Sequence, residues 1–171
     1  MVFIKRCARA VRGGRRFTFS ALIVVGDACG RVGLGFGKSG EVADAIAKAQ
    51  KSAASRMVEV TLKAGTIPHE ACGDFCGAKV LLRPAPPGTG IIASKTVRAV
   101  LECLGVKDAV SKSLGTHNAT NVAKATLQAL MSLRPSERIY QDRGIKIKKP
   151  AGPVVFKFPD LGAAQNPLGL N

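Results

Sequence analysis

Residues 31–58 read RVGLGFGKSGEVADAIAKAQKSAASRMV, and the spacing of apolar residues changes within this stretch. Residues 31–36 have the composition of a short strand, which follows a turn-forming sequence at residues 27–30. From residue 41 to about residue 58, apolar residues recur with the 3.6-residue period of a helix. The predicted apolar stripe consists of Val42, Ile46, Ala49, Ala53 and Met57. The stretch therefore predicts a strand followed by an amphipathic helix.

The residues upstream of this stretch predict two more strands. Residues 17–25 are rich in strand-forming side chains and lie one turn before residue 31, which is the pattern of an antiparallel hairpin. The first 20 residues contain six cations and no Asp or Glu, and we expect them to pair alongside as another strand. The six cations are Lys5, Arg6, Arg9, Arg12, Arg15 and Arg16.

A second group of elements is expected after residue 63. It begins with two strands, at residues 66–69 and 78–83, which flank a turn at residues 73–75. A helix then follows Ser94 and ends at Gly105. A strand at residues 107–114 and a helix after Asn118 complete the group. This order indicates an α+β sandwich. The predicted organisation is two small domains, residues 1–63 and 64–133, followed by a tail at residues 134–171 that is basic and then rich in Pro and Gly.

The composition restricts the class of protein. The 171 residues carry a formal charge of +15, while 46% are hydrophobic, so the chain can bury a core. A folded protein this basic is usually placed against a polyanion, with nucleic acid favoured over an anionic membrane surface. No apolar run is long enough to span a bilayer, and five cysteines in a chain of this size favour reduced thiols in the cytoplasm.

Two nucleotide-binding motifs are incomplete or ambiguous. The sequence before Gly37-Lys38-Ser39 lacks the first glycine of a P-loop, because Val32 occupies that position. Gly35 to Gly40 is a literal G-x-G-x-x-G between a strand and a helix, so a dinucleotide-binding enzyme stays open as an alternative. Another interpretation is a glycine-rich strand that packs tightly under the helix.

The same region suggests contacts with RNA phosphate. Lys38 beside the glycines and a helix N-terminus would form a phosphate clamp, which Lys48 and Lys51 would continue along the helix. Arg12-Gly13-Gly14-Arg15-Arg16 combines a flexible turn with arginines on both sides, and we expect it to be an RNA-inserting loop.

Other chemistry is not supported by the sequence. Cys72 and Cys76 have no second pair of metal ligands at a suitable spacing and are expected to flank a structural turn. No Ser or Cys nucleophile accompanies His69 or His117, so neither a catalytic site nor a cofactor is predicted. With eight aromatic residues and no Trp, a base-stacking platform is not expected, and Phe17 is expected in the core.

Five motifs, in order and spacing, resemble those of the bacterial-type small-subunit ribosomal protein five family, over about residues 3–133. They are Val11-Arg12-Gly13-Gly14-Arg15-Arg16-Phe17, Val24-Val25-Gly26-Asp27, Gly33-Leu34-Gly35-Phe36-Gly37-Lys38, Gly88-Thr89-Gly90-Ile91-Ile92-Ala93 and Val97-Arg98-Ala99-Val100-Leu101-Glu102. The cysteines and the tail beyond residue 152 do not belong to these motifs.

The resemblance implies a non-enzymatic protein that binds small-subunit rRNA through an N-terminal domain similar to double-stranded-RNA-binding domains. By this resemblance, Arg12 to Arg16 extend toward the messenger path, and Gly90 and Arg98 contact small-subunit protein four at an interface linked to decoding accuracy. Protein eight would contact the C-terminal domain, and no homo-oligomer is expected. An RNA-binding protein outside the ribosome has the same charge pattern and is disfavoured only by the family motifs.

Overall fold

The computed structural model describes residues 2–144. Its elements are, in chain order, β1 (Phe3–Val11), β2 (Gly14–Gly26), β3 (Arg31–Ser39), α1 (Val42–Ala54), β4 (Met57–Glu59), β5 (Ala71–Phe75), β6 (Ala78–Pro84), β7 (Ile91–Ile92), α2 (Lys95–Leu104), β8 (Ala109–Gly115), α3 (Ala119–Met131) and α4 (Ser136–Asp142). They form two four-stranded sheets with helices packed against them, which confirms the predicted α+β class. Within these residues no helix is long and apolar enough to cross a membrane.

The first sheet has the strand order β1-β2-β3-β4, and every neighbouring pair is antiparallel. The predicted hairpin is present as β2 and β3, and the basic N-terminal stretch pairs with β2 as expected. Strand β3 extends to Ser39, three residues beyond the predicted end at Phe36.

Glycines form the face of β3 that lies under α1. A methyl group at Gly35 would collide with the carbonyl oxygen of Ala49, and the glycines two residues before and after it are equally close to the helix backbone. The helix has a complementary face, because its buried residues are Ala45, Ala49 and Ala53. Small residues on both sides allow the helix and the strand to approach closely. The tight-packing interpretation of the glycines is therefore correct.

The stripe predicted for this helix is partly wrong. Ala45 is fully buried, whereas Val42 is 37% exposed. Close contact with glycines selects alanines one turn apart, so the larger apolar residues do not define the buried face. The helix also ends at Ala54, because Met57 pairs with Gly33 in β4 and no longer continues the helix.

The second sheet has the order β5-β6-β8-β7, in which β7 is parallel to β8 and the other pairs are antiparallel. Helix α2 follows Ser94 and ends at Gly105, whose φ of 92° is left-handed. Its buried side chains are the four expected from the sequence, namely Val97, Val100, Leu101 and Leu104. The side chain of Asn118 accepts a hydrogen bond from the backbone N–H of Thr120 and caps α3, as predicted.

Two predictions for the start of this sheet are wrong. Residues 66–69 contain only two isolated bridges at Thr66, to Lys63 and to Asp108, and the edge strand is residues 71–75. The predicted turn at residues 73–75 lies inside that strand, and the chain reverses at residues 76 and 77. Gly73 serves packing and not a turn, since a methyl group there would collide with the carbonyl oxygen of Ala125 in α3.

The two domains share one hydrophobic cluster. It includes Leu22 and Val32 of the first sheet together with Leu101 and Leu104 of α2. The first sheet is thus covered by α1 on one face and, over part of its other face, by α2 of the second domain.

The segment predicted as a tail begins with ordered structure. Residues 136–142 form α4, which contains no buried residue and follows Pro135. A helix was not predicted there because no apolar stripe marks it. The rest of the predicted tail, residues 145–171, lies outside the described residues, so its ordering on a partner stays a prediction.

Candidate nucleic-acid interface

The hairpin of β1 and β2 carries the six N-terminal cations. Its pairing runs from Phe3 opposite Leu22 to Val11 opposite Gly14, so only residues 12 and 13 form the turn. Gly13 has a φ of 91°, a left-handed conformation that favours glycine. The predicted flexible loop at residues 12–16 is therefore shorter than expected. Arg15 and Arg16 lie in β2, where the strand directs them to opposite faces.

The two faces of the hairpin differ in chemistry. Ala21 and Ile23 pack against alanines of α1, which identifies the face shared by Arg6, Ala8, Ala10, Arg15 and Phe17 as the helix-side face. The alternate residues form the opposite face, which we call the basic face. Its cations are Lys5, Arg9, Arg16 and, from β3, Lys38.

Arg9 and Arg16 lie directly opposite each other on the basic face. Both are exposed, and like charges in this position repel each other. The three ion pairs among residues 2–144 join Asp27 to Arg31, Asp74 to Lys79 and Glu70 to Arg83, so none involves a hairpin cation. No carboxylate of the described residues offsets the repulsion at this pair, and a phosphate group between the two guanidiniums would offset it.

Lys5 and Lys38 flank Ser20 on the same face. Ser20 pairs with Lys5 on one side and with Lys38 on the other, and its hydroxyl donates to the Lys5 carbonyl oxygen at 3.4 Å. The expected phosphate clamp is therefore wrong in its arrangement. The strand alternation directs Lys38 away from α1, and Gly35 and Gly37 are buried under the helix.

Lys48 and Lys51 are exposed on α1. Because α1 covers the helix-side face of the sheet, these two lysines lie across the sheet from the basic face. The structure does not bring them together with Lys38, contrary to the continuous track that the sequence suggested. They form a separate positive surface.

A hydrogen-bonded loop precedes the edge strand β7 of the second sheet. The Oδ1 atom of Asp108 accepts from the backbone N–H of Gly88 at 3.0 Å and of Gly90 at 2.8 Å. Arg98 donates from Nη2 to the carbonyl oxygen of Ile91 at 2.9 Å. The two positions predicted at a protein interface are thus adjacent: Gly90 lies on the loop that Asp108 holds, and Arg98 of α2 reaches the next residue, Ile91.

A carboxylate also organises the turn between β2 and β3. Asp27 accepts hydrogen bonds from the backbone N–H groups of Cys29 and Arg31, both at 2.9 Å, and from Arg31 Nε at 2.8 Å. These bonds, first among them the one from the Arg31 backbone, lower the pKa of Asp27 to about 2. The turn is fixed by an ionised group over most of the pH range.

The thiols show no arrangement for chemistry. All five cysteines, at positions 7, 29, 72, 76 and 103, are free. Burial raises the pKa of the Cys103 thiol, which disfavours the reactive thiolate. Among residues 2–144, no three His, Cys, Asp or Glu side chains are grouped so as to hold a metal ion.

Two functional candidates were not recognisable from the sequence. Phe17 is 43% exposed, so its predicted place in the core is wrong. The hydrogen bonds that Asp108 accepts from the loop were not predicted. The sequence signal for them is weak: an Asp shortly after a helix and 18 residues beyond a Gly-x-Gly.

Comparison with known proteins covers both domains. Residues 1–61 match the family described as ribosomal protein S5, N-terminal domain, and residues 73–143 match ribosomal protein S5, C-terminal domain. The chain is 54% identical over 144 residues to small ribosomal subunit protein uS5 of Treponema denticola, covering 84% of this chain and 83% of the relative. The uS5 of Protochlamydia amoebophila is 49% identical over 145 residues, covering 85% and 87%. The uS5 of Rhodopirellula baltica is 50% identical over 145 residues, covering 85% and 82%.

Proposed function

The chain belongs to the ribosomal protein S5 family, and from this premise we propose that its β1–β2 hairpin holds rRNA in the small ribosomal subunit. The family is structural and not enzymatic, so the protein is a component of the small subunit that takes part in translation. The dinucleotide-binding alternative has no support, because Gly35 and Gly37 are buried against the backbone of α1.

The pairing of Arg9 with Arg16 is the observation that best supports RNA binding by the hairpin. Arg9 and Arg16 face each other on an exposed surface that has no partner carboxylate within the described part of the chain. Such a pair is costly in the free protein and becomes favourable where RNA phosphate lies against it. Lys5 and Lys38 extend the same surface toward the middle of the sheet.

The finer contacts with RNA follow from the two-sided arrangement. The basic face contacts one backbone segment, while Arg12 at the tip extends toward the messenger path. Lys48 and Lys51, on the other side of the sheet, contact a second segment of folded RNA. A helix and a sheet that carry cations on both sides suit shape and phosphate recognition of structured RNA.

We also propose the two protein partners. The loop around Gly90, together with Arg98 of α2, contacts small-subunit protein four, and the second domain contacts protein eight. The hydrogen bonds that Gly88 and Gly90 donate to Asp108 support this assignment, since they hold the loop in one shape before a partner arrives. An interface with protein four that breaks during decoding would influence accuracy, and the protein would act in the cytoplasm.

Co-sedimentation with small subunits tests the central proposal. The protein should remain with the small subunit after a moderate salt wash, and the triple change Arg12→Ala, Arg15→Ala and Arg16→Ala should release it at lower salt. Failure of the unchanged protein to co-sediment would contradict ribosomal function. Equal retention of both proteins would contradict the role of the hairpin.

The accuracy role has its own test. Arg98→Ala removes the bond to Ile91 and leaves the hairpin unchanged. We expect altered misreading in cells whose small subunits contain this variant at normal amounts. An unchanged error rate would contradict the role in accuracy.

A further inference from the structure

Phe17 presents its ring to solvent on the helix-side face of the hairpin, with 43% of the residue exposed. The neighbouring strand β3 stops at Ser39, which pairs with Phe19, so Phe17 has no β3 residue beside it. Helix α1 packs farther along the sheet, against Ala21 and Ile23. The ring therefore lies beyond the part of this face that the helix covers.

Small side chains leave this ring open. Ala8 lies directly opposite Phe17, and Ala10 lies one row nearer the tip on the same face. Both alanines are exposed, and neither has a side chain beyond its methyl group with which to cover the ring. Of the remaining neighbours on this face, Phe19 packs partly against the core under α1, and two are cationic. The Arg6 guanidinium lies 4.8 Å from the ring centroid, and Arg15 precedes Phe17 by two residues.

We propose that Phe17 is a stacking site for one unpaired nucleobase of RNA, with Arg6 and Arg15 contacting the phosphates on either side of that base. The inference rests on the RNA-binding function proposed above. Aromatic rings stack on bases of any sequence, and an arginine that lies over the ring adds a further planar group for stacking.

Charge and area favour a nucleotide over a protein partner. Residues 1–20 contain six cations and no acid, so the surroundings of the ring attract an anion. The exposed apolar groups on this face of the hairpin are the Phe17 ring, the methyl groups of Ala8 and Ala10, part of Phe19 and, beyond Arg6, Ile4. A stable protein interface buries about 800 Å² on each partner, which is far more than this surface provides.

The two faces of the hairpin would then recognise different RNA features. The basic face, with Lys5, Arg9, Arg16 and Lys38, suits the phosphates of a helical segment. The helix-side face around Phe17 suits a base outside a helix. The hairpin would bind where paired and unpaired RNA meet.

Two RNA probes of equal length and charge test the inference with the full-length protein. One is a hairpin whose stem is interrupted by a single unpaired 2-aminopurine, and the other has a fully paired stem. We expect the protein to bind the interrupted RNA about tenfold more tightly and to change the fluorescence of its 2-aminopurine. Phe17→Ala should abolish both the preference and the fluorescence change, whereas Phe17→Tyr should retain them.

Phe36→Ala provides the matched control. Phe36 is 49% exposed on the same sheet, but its pairing with Leu22 places it on the opposite face from Phe17. This variant should keep the full preference for the interrupted RNA, and the thermal unfolding of both alanine variants should confirm that they fold.

Each remaining outcome has a distinct meaning. Equal binding of both RNAs by the unchanged protein, or an unchanged preference in Phe17→Ala, would overturn the stacking site and leave the RNA-binding function intact. Equal losses in Phe17→Ala and Phe36→Ala would also overturn it. If Phe17→Ala left RNA binding unchanged but weakened retention on small subunits, the ring would be assigned to a protein contact instead. No binding of either RNA by the unchanged protein would overturn the proposed function itself.

Discussion

The backbone N–H of Ala28 donates a hydrogen bond to the carbonyl oxygen of Cys103 at 3.0 Å, and this bond joins the two domains. Carbonyl groups in the last turn of a helix have no partner within the helix. Here the β2–β3 turn supplies partners for two of them, because Gly30 also donates to the carbonyl oxygen of Leu104 at 3.1 Å. The first domain thus caps helix α2 of the second.

Gly105→Ala should weaken this junction. The left-handed φ of 92° is unfavourable for alanine, and a methyl group there would collide with the carbonyl oxygen of Ala28. We expect a loss of about 2 kcal/mol or more in the free energy of unfolding, measured by urea denaturation. Gly40→Ala is the control, since nothing lies within 4 Å of an added methyl group at that position. Equal stability of the two variants would contradict this account of the junction.

Gly35→Ala separates the two interpretations of the glycine-rich strand. If the glycines serve packing against α1, an added methyl group should lower the free energy of unfolding by about 1 to 3 kcal/mol. If they served to admit a phosphate or a dinucleotide, stability would be unchanged and only ligand binding would fall. Thermal unfolding of the variant decides between them, and calorimetry with NAD should show no binding to the unchanged protein.

The strand-to-helix change at residues 39–42 was predictable because apolar spacing and a glycine-rich junction agree locally. The end of α2 at Gly105 was predictable for the same reason. Gly73 was not, since its sequence suggests a turn and only the approach of α3 explains a glycine inside a strand. Phe17 has the alternation of a core residue, and its exposure depends on where β3 stops, which is a matter of strand register.

The basic hairpin could be located from its charge, but the division of its cations between two faces could not. That division depends on Arg15 lying inside β2 and not in a loop, which shifts the turn to residues 12 and 13. The position of Lys38 depends in the same way on which face of β3 meets α1.

The carboxyl group of Asp27 should titrate near pH 2 in the folded protein. Its folded pKa is below the ordinary value of 3.8, so its hydrogen bonds contribute stability that is complete above about pH 4 and is lost as the pH falls through about 2. Carboxyl chemical shifts measured by NMR down to the lowest pH at which the fold persists check this. The difference in unfolding free energy between the unchanged protein and Asp27→Asn should shrink over the same range. A midpoint near 3.8 would contradict the bonding described for the turn.

Asp108→Ala should release the loop at residues 86–90. Removing the carboxylate leaves the backbone N–H groups of Gly88 and Gly90 without their acceptor. We expect their amide hydrogens to exchange faster by about tenfold, as measured by NMR. Thr89→Val is the control, because it removes only the hydroxyl bond to Pro86 within the same loop. Unchanged exchange at Gly90 in the Asp108 variant would show that other contacts hold the loop.

The measurement that tests the central claim most directly is the salt dependence of binding to small-subunit rRNA. Two double variants with equal net charge are compared with the unchanged protein. The first combines Arg9→Gln with Arg16→Gln. The second combines Lys79→Gln with Arg83→Gln and removes two cations that already pair with carboxylates. If phosphate lies against the basic face, the slope of log affinity against log salt should decrease by about 0.7 to 0.9 for each phosphate that the first variant no longer neutralises, and it should change little in the second variant. An unchanged slope in the first variant, or an equal decrease in both, would contradict the assignment of the basic face to RNA.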